Sequence, residues 1–407
     1  MKKIISAIDV GTTKICTITG TLDSGGNIQV LGVGLVPAHG MHKGMVVNVD
    51  EAKESVAESV KRAEQASGLK IESAYVGVTG RHISSHNTHG VVAIPRNDRL
   101  VRPEDLKRVL SSAQQVNVPD DRKVLHAIPR SYALDNQERI KNPVGMHGFR
   151  LDVETHIITA AVSSVQNLVK CIRSIGVEIQ DLILEPLASG EAVLTPEERE
   201  VGTILADIGG GTTDIALFKD GSIYHTSIIP VAGYQVTSDL SIGLGLPFEI
   251  AEAMKKKYGN VYPEVLSKNQ ESKLTVEDGH SVSYRELCDI IKVRMEELLR
   301  LILLEMPDSN YASIAPAGLV LTGGSSNLAG LESLAKQTIR IQTRIGEPMG
   351  VYGITDILHD PAHSTGVGLM LWGTRNHGRK AWESKKGNGA LDGFITLLKK
   401  FFGVGKT

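Results

Sequence analysis

Two stretches of this sequence carry residue types that hold phosphate. Asp9-Val10-Gly11-Thr12-Thr13-Lys14 and Asp207-Ile208-Gly209-Gly210-Gly211-Thr212-Thr213 each follow a run of apolar and β-branched residues. Glycine lets backbone N–H groups come close to phosphate oxygens, and threonine hydroxyls add donors. An aspartate at the end of the preceding strand is suited to hold Mg2+ through its water shell, because Mg2+ sheds its waters reluctantly. Asp9 and Asp207 fit that role from opposite sides. Either stretch alone reads equally well as a tight hairpin, since Gly and Thr are common turn residues. The pair predicts a nucleotide whose phosphates are gripped from two sides. A third set, Gly323-Gly324-Ser325, follows another strand-like run and offers bare backbone to a sugar or base. No Walker loop competes: Gly405-Lys406-Thr407 ends like one, but Lys400 stands where its first glycine should be.

The loops need strands to position them. Runs at 3–9, 73–79, 203–208 and 318–322 read as strands, and they alternate with helical patterns, so an α/β architecture is expected. Asp50 is placed to cap a helix ending at Gly68, and a second helix from about 163 ends at Gly176. Ser283 and Glu286 have capping-box spacing for a third, which runs to Met306 ahead of Pro307. Two copies of one strand-turn-strand device, half a chain apart, predict two lobes of related fold facing a shared cleft. Between Arg81 and Thr155 the pattern weakens around a helix at 103–116, which reads as a subdomain inserted in the first lobe.

Composition narrows the function classes. At 407 residues the chain exceeds what one core usually supports. Aromatic content of 4% and dispersed basic residues argue against a nucleic-acid partner. Residues 375–407 carry eight Lys/Arg and two Asp/Glu; removing these from 44 and 46 leaves 36 and 44, so a tail of net +6 follows a body of net −8. Such a tail seeks an acidic surface. Cys16, Cys171 and Cys288 stand far apart without C-x-x-C spacing, and the histidines lack metal spacing, so a reducing cytoplasm is expected and no zinc site. Asp9 breaks the only signal-like apolar run, and no stretch reaches the roughly 20 apolar residues of a membrane span.

The paired Asp-led loops, the later Gly-Gly-Ser turn and the interposed Glu185-Pro186 resemble the signatures of the actin, sugar-kinase and chaperone-ATPase superfamily. Within it, Leu125-His126-Ala127-Ile128-Pro129, Lys141-Asn142-Pro143-Val144-Gly145-Met146, Leu184-Glu185-Pro186-Leu187-Ala188-Ser189 and Asp207 through Asp214 are similar to the FtsA family of bacterial cell-division proteins. The resemblance implies a two-lobed actin-like ATPase fold of duplicated ribonuclease-H-like domains, with an FtsA-type insert and a C-terminal amphipathic helix. It divides the chain into a first-lobe core (1–82 and 159–202) interrupted by the insert (83–158). A second-lobe core (203–232), its subdomain (233–314), a stretch completing that core and returning to the first lobe (315–373), a linker (374–390) and a tail (391–407) follow.

The same resemblance implies ATP and Mg2+ as ligands. It makes Gly11, Thr12, Thr13 and Lys14 the first phosphate loop, Gly209, Gly210, Gly211, Thr212 and Thr213 the second, and Gly323, Gly324 and Ser325 part of the adenosine site. Glu252, Lys255 and Lys256 match an E-x-x-K pattern that contacts ribose and adenine; a solvated helix face is the alternative, since acid–base pairs at this spacing are common. Glu185 matches the glutamate near the attacking water, or else is a buried carboxylate at a helix start.

In the tail, 100° per residue puts Leu391, Phe394, Ile395, Leu397, Leu398, Phe401 and Phe402 on one face and Asp392, Thr396, Lys399 and Lys400 opposite. With its polar linker, this predicts an amphipathic helix that binds anionic membrane lipid. The family likeness adds self-polymerisation at the cytoplasmic face of the cell membrane, FtsZ and further division proteins as partners, and slow hydrolysis at most. A pilus-assembly adaptor and a metabolite kinase are the rival members of the superfamily.

Overall fold

The computed structural model describes residues 3–115, 118–261, 273–275 and 281–375. Two sheets make the frame. In the first, the order is Glu178–Leu184, Ser73–Val78, Ile4–Val10, Lys14–Leu22, Ile28–Pro37, Val351–Gly353. In the second it is Thr343–Ile345, Leu319–Thr322, Thr203–Ile208, Thr213–Lys219, Ser222–Ile229. Outward from Ile4–Val10 and from Thr203–Ile208 the two are alike: an antiparallel meander on one side, parallel strands on the other. The short strand Val351–Gly353 is an addition at the far edge of the first sheet. Thus the repeat glimpsed in two loops is a repeat of whole sheets.

Both Asp-bearing strands are buried on both faces, as near-continuous apolar runs require. Helices Val49–Ser67 and Val162–Arg173 cover one face of the first sheet, packing Val56, Val60, Val169 and Ile172 against Ile8, Val10 and Ile15. Helices Glu185–Val193 and Ser364–Arg375 lie between the sheets, where Leu187, Ala188 and Val367 join Ile5 and Ile18 to Leu205 and Phe218 in one core. Ile204, Ala206 and Ile208 alternate with Leu205 and so face the other way, into helices Gly233–Leu244 and Tyr284–Leu304.

The insert is a four-stranded antiparallel sheet in the order Ile83–Ala93, Arg150–Ala161, Arg122–Leu134, Gln137–Ile140. Helix Pro103–Ala113 closes one face over a separate core of Leu106, Val109, Leu110, Tyr132, Leu151 and Val153. Proline at its first position costs no hydrogen bond, because that N–H would be unpaired anyway.

One cap differs from expectation. Asn48, not Asp50, begins the first long helix: its side-chain oxygen accepts from the N–H groups of Asp50 and Glu51, leaving Asp50 in the first turn where its charge suits the helix dipole. Gly68 ends that helix in the left-handed conformation and Ser283 caps Tyr284–Leu304, both as anticipated, although this last helix stops two residues short of Met306. The second helix stops at Arg173, three residues before Gly176. All three cysteines are buried and free. No helix among the described residues is long and apolar enough to cross a membrane. The anticipated amphipathic segment 391–402 and most of its linker lie outside the described residues.

Candidate nucleotide cleft

Each loop is the turn of a hairpin, closed alike: Gly11 N donates to Lys14 O at 3.1 Å, and Gly209 N to Thr212 O at 2.9 Å. Register pairs Asp9 with Cys16 and Asp207 with Asp214. The structural equivalents of Thr12 and Thr13 are therefore Gly210 and Gly211, and the Thr-Thr pairs that look alike in the sequence are offset by two positions. The tips meet across the cleft. A Cβ on Gly210 would overlap the Thr13 methyl, and one on Gly211 would lie 2.5 Å from Thr12 Oγ1. Glycine is required there by close approach rather than by a turn angle.

Four carboxylates converge behind the tips, each buried: Asp9, Glu185, Asp207 and Asp214. Burial pushes Asp9 up to about 6, with Lys14 opposing and Asp207 adding to the shift. Asp214 is pushed up to about 7 by burial, against the lowering effect of the Thr79 hydroxyl. Glu185 lies well above the usual carboxylate range, first from burial and then from Asp9, Asp214 and Asp207. Its Oε1 has no hydrogen-bond partner. Asp207 is raised by burial too, although Thr365, Ser189 and Lys14 counteract this; Thr365 Oγ1 donates to it at 3.0 Å. Desolvated carboxylates that raise one another suit a bound cation, which would restore their ionised forms.

The remaining predicted residues are gathered to different degrees. Ser325 Oγ donates to Gly209 O at 2.8 Å, so the third glycine turn rests on the second loop. Gly323 has φ of 84°, and a Cβ there would collide with Asp207 Oδ1, while Gly324 opens the short helix Gly324–Asn327. Lys255 leans onto the same place, donating to Gly233 O at 3.0 Å, while Gly233 N donates to Gly209 O at 3.1 Å. Glu252 pairs with Lys255 at 2.6 Å and Lys256 at 3.1 Å. Only Lys256 stays in solvent, with 70% of its side chain exposed, so the face is not a solvated one at Lys255. Lys14 Nζ donates to Ala362 O and lies 3.3 Å from His363 Nδ1, reaching the segment before the last helix. Thr212 donates to Asp214 Oδ2 at 3.1 Å and Thr213 to Val231 O at 2.8 Å.

Sequence reasoning passed over Asp214, Thr79 and Thr365. Asp214 had a signal: it ends the quoted Gly-Gly-Gly-Thr-Thr-Asp run, at the register partner of Asp207. The hydroxyl of Thr79 donates to Asp214 Oδ1 from the opposite lobe, a contact between positions 135 residues apart that no local pattern announces.

A family model described as cell division protein FtsA matches residues 204–368, and one described as the SHS2 domain inserted in FtsA matches residues 80–159. The cell division protein FtsA of Pseudomonas aeruginosa is 42% identical over 374 residues, 91% of this chain and 89% of that one. This chain belongs to the FtsA family. The FtsA of Escherichia coli is 36% identical, covering 92% of this chain and 91% of its own length. That of Bacillus subtilis is 35% identical, covering 92% and 85%. Among solved structures, a PilM–PilN type IV pilus biogenesis complex aligns with TM-score 0.63 at 16% identity, over 91% of this chain and 98% of that one. MreB5 of Spiroplasma citri bound to ADP aligns with TM-score 0.54 at 12% identity, over 91% and 96%. The fold is the actin-like ATPase fold with the FtsA insert, and the chain is a cell-division protein of that superfamily.

Proposed function

We propose that this FtsA-family chain binds Mg-ATP, polymerises at the cytoplasmic face of the cell membrane and anchors FtsZ filaments there at the division septum. The observation that carries the nucleotide reading is the facing pair of hairpin tips with carboxylates of both lobes converging behind them. In this reading the two tips clamp the phosphates, and Gly323, Gly324, Ser325, Glu252 and Lys255 flank the adenosine, with Lys256 at the rim. Glu185 orients the attacking water, and turnover is slow.

Asp9 and Asp207 would hold Mg2+ through its waters. Among the described residues no three His, Cys, Asp or Glu side chains are grouped to hold a metal ion by themselves. An ion held there would keep most of its water and take its direct ligands from phosphate. When bound, the ion would neutralise the phosphates and the raised carboxylates.

The membrane role rests on the sequence of residues 391–402. Partial burial of its apolar face is offset by the cost of ordering its backbone, so one tail binds weakly and polymerised copies bind by avidity. The test is co-sedimentation of the whole protein with phosphatidylglycerol-containing vesicles and FtsZ, with and without ATP. Joint pelleting that grows with ATP is expected. Phe401→Glu with Phe402→Glu should release the protein while leaving ATP binding intact; equal pelleting of that variant refutes the tethering role. In this reading the insert makes contacts between subunits rather than with nucleotide, and filaments on lipid from a folded chain lacking the insert would refute that role.

A further inference from the structure

The far edge of the first sheet is apolar where it meets solvent. Val351–Gly353 is its last strand, paired on one side with Ile28–Pro37 and on the other with no strand among the described residues. Val351, beside Ile28, turns into the core between the sheets. Successive side chains of a strand alternate faces, so Tyr352 turns the other way. Register carries its row across the sheet through Gln29 and Thr21 to Ile4. On that face the last turn of helix Val49–Ser67 lies over Gly32, where an added Cβ would meet Ser67. At the row itself Ile4 and Tyr352 are 46% and 42% exposed, and Ile354, whose N–H donates to Val30 O at 3.2 Å, is 59% exposed. Met349 and Ile357 extend the exposed apolar surface along the chain. A sheet edge that is both open and apolar is a hazard that folded proteins cover.

The chain leaves the fold beside this edge. Leu371, near the end of helix Ser364–Arg375, abuts Gly350, where a Cβ would lie 3.1 Å from its side chain. Fifteen residues, 376–390, then precede the apolar segment that begins at Leu391. A flexible chain of that length spans about 20 Å on average, enough to turn round one sheet edge. Charge points to the same occupant. From Gly346 to Thr374 the chain carries Glu347, Asp356 and Asp360 but no Lys or Arg, and the Tyr352 hydroxyl donates to Asp23 Oδ2 at 3.1 Å. The tail that follows has a net charge of +6.

We propose that this edge is the seat of residues 391–402 when the protein is off the membrane, with the apolar face of the tail against Ile4, Tyr352 and Ile354 and its lysines drawn to the acidic flank. Seat and lipid then compete for one face of one segment, so docking holds the tail back from the bilayer. The inference rests on the amphipathic reading of the tail given above. A short flexible linker supplies an effective concentration in the millimolar range. Against a docking constant on the order of 0.1–0.5 mM, that lowers lipid affinity about threefold to tenfold.

Tyr352→Ser with Ile354→Ser strips the seat and touches neither the tail nor the cleft. In the whole protein without nucleotide, that variant should pellet with phosphatidylglycerol-containing vesicles at about threefold to tenfold less lipid than the parent. Ile354→Ser alone carries this test should the double variant fail to fold. Amide hydrogen exchange at 351–354 should be severalfold slower in the parent than in the chain carrying Phe401→Glu and Phe402→Glu, at every protein concentration, and vesicles should speed it in the parent. Equal exchange in the two chains overturns the seat. Protection that appears only as protein concentration rises overturns it too, because the occupant is then a second copy. No pelleting by the parent or the seat variant overturns the membrane reading and the seat together; parental pelleting that the seat variant matches within about twofold overturns the seat alone.

Discussion

Both lobes turn their first hairpin over the same span, from Asp9 to Cys16 and from Asp207 to Asp214, and both close it with a glycine N–H bonded three residues on. The fillings differ. At the tip the first lobe has two threonines where the second has two glycines, so one side supplies bulk and hydroxyls and the other supplies bare N–H groups. Opposite the strand-end aspartate the first lobe places a neutral thiol and the second places another carboxylate. A duplicated backbone has been kept while its side chains have become complementary, and complementarity is what lets two copies of one turn meet.

The largest expected effect comes from denying that complementarity. Gly210→Val puts a branched side chain on the tip whose bare N–H groups would come close to phosphate, and it blocks that approach as well as crowding the Thr13 methyl. Mg-ATP affinity should fall by up to about 100-fold in calorimetry. Next, Asp9→Ala and Asp207→Ala should each weaken Mg-ATP by about tenfold or more, as loss of a charge-assisted contact does; unchanged affinity in both would end the two-sided picture.

A third experiment separates Asp214 from Cys16. An acid with a raised folded pKa binds more protons folded than unfolded, so it removes stability as pH rises through the interval between its two values. For Asp214 that interval runs from 3.8 to about 7. Asp214→Asn should gain stability relative to the parent across it, on the order of 2 kcal/mol, in nucleotide-free denaturation series. Cys16→Ser should show no such slope, because burial holds that thiol up at about 12. The smallest effect is Thr13→Gly, about 1 kcal/mol of thermal stability, from the backbone freedom glycine adds to the unfolded chain and the lost contact with Gly210. Adding Gly210→Ala should restore part of it, and a coupling near zero in that cycle would mean the tips do not interlock.

Much of this was legible in the sequence. Strand runs such as 203–208 and the glycine turns are local patterns, and the structure reproduces Thr203–Ile208 to the residue. Register was not legible: matching Thr12-Thr13 to Thr212-Thr213 follows residue identity, whereas hydrogen bonding aligns them two positions apart. Nor could the partners of the carboxylates be foreseen, since Thr79 reaches Asp214 and Thr365 reaches Asp207 from the far lobe. Asp50 fits a cap by residue type, but it is the extended backbone of Asn48, φ −133°, that lets a side chain accept from the N–H groups of Asp50 and Glu51, and residue type alone does not give that conformation.

The three thiols have a practical consequence. Cys16, Cys171 and Cys288 are all buried, and burial raises each one's pKa, so at neutral pH they stay protonated and shielded from alkylating reagents. A cysteine introduced on either bank of the cleft would then be the reactive one, without first stripping the native three. Paired fluorophores placed that way would let the distance between the lobes be followed in real time in an otherwise unaltered chain.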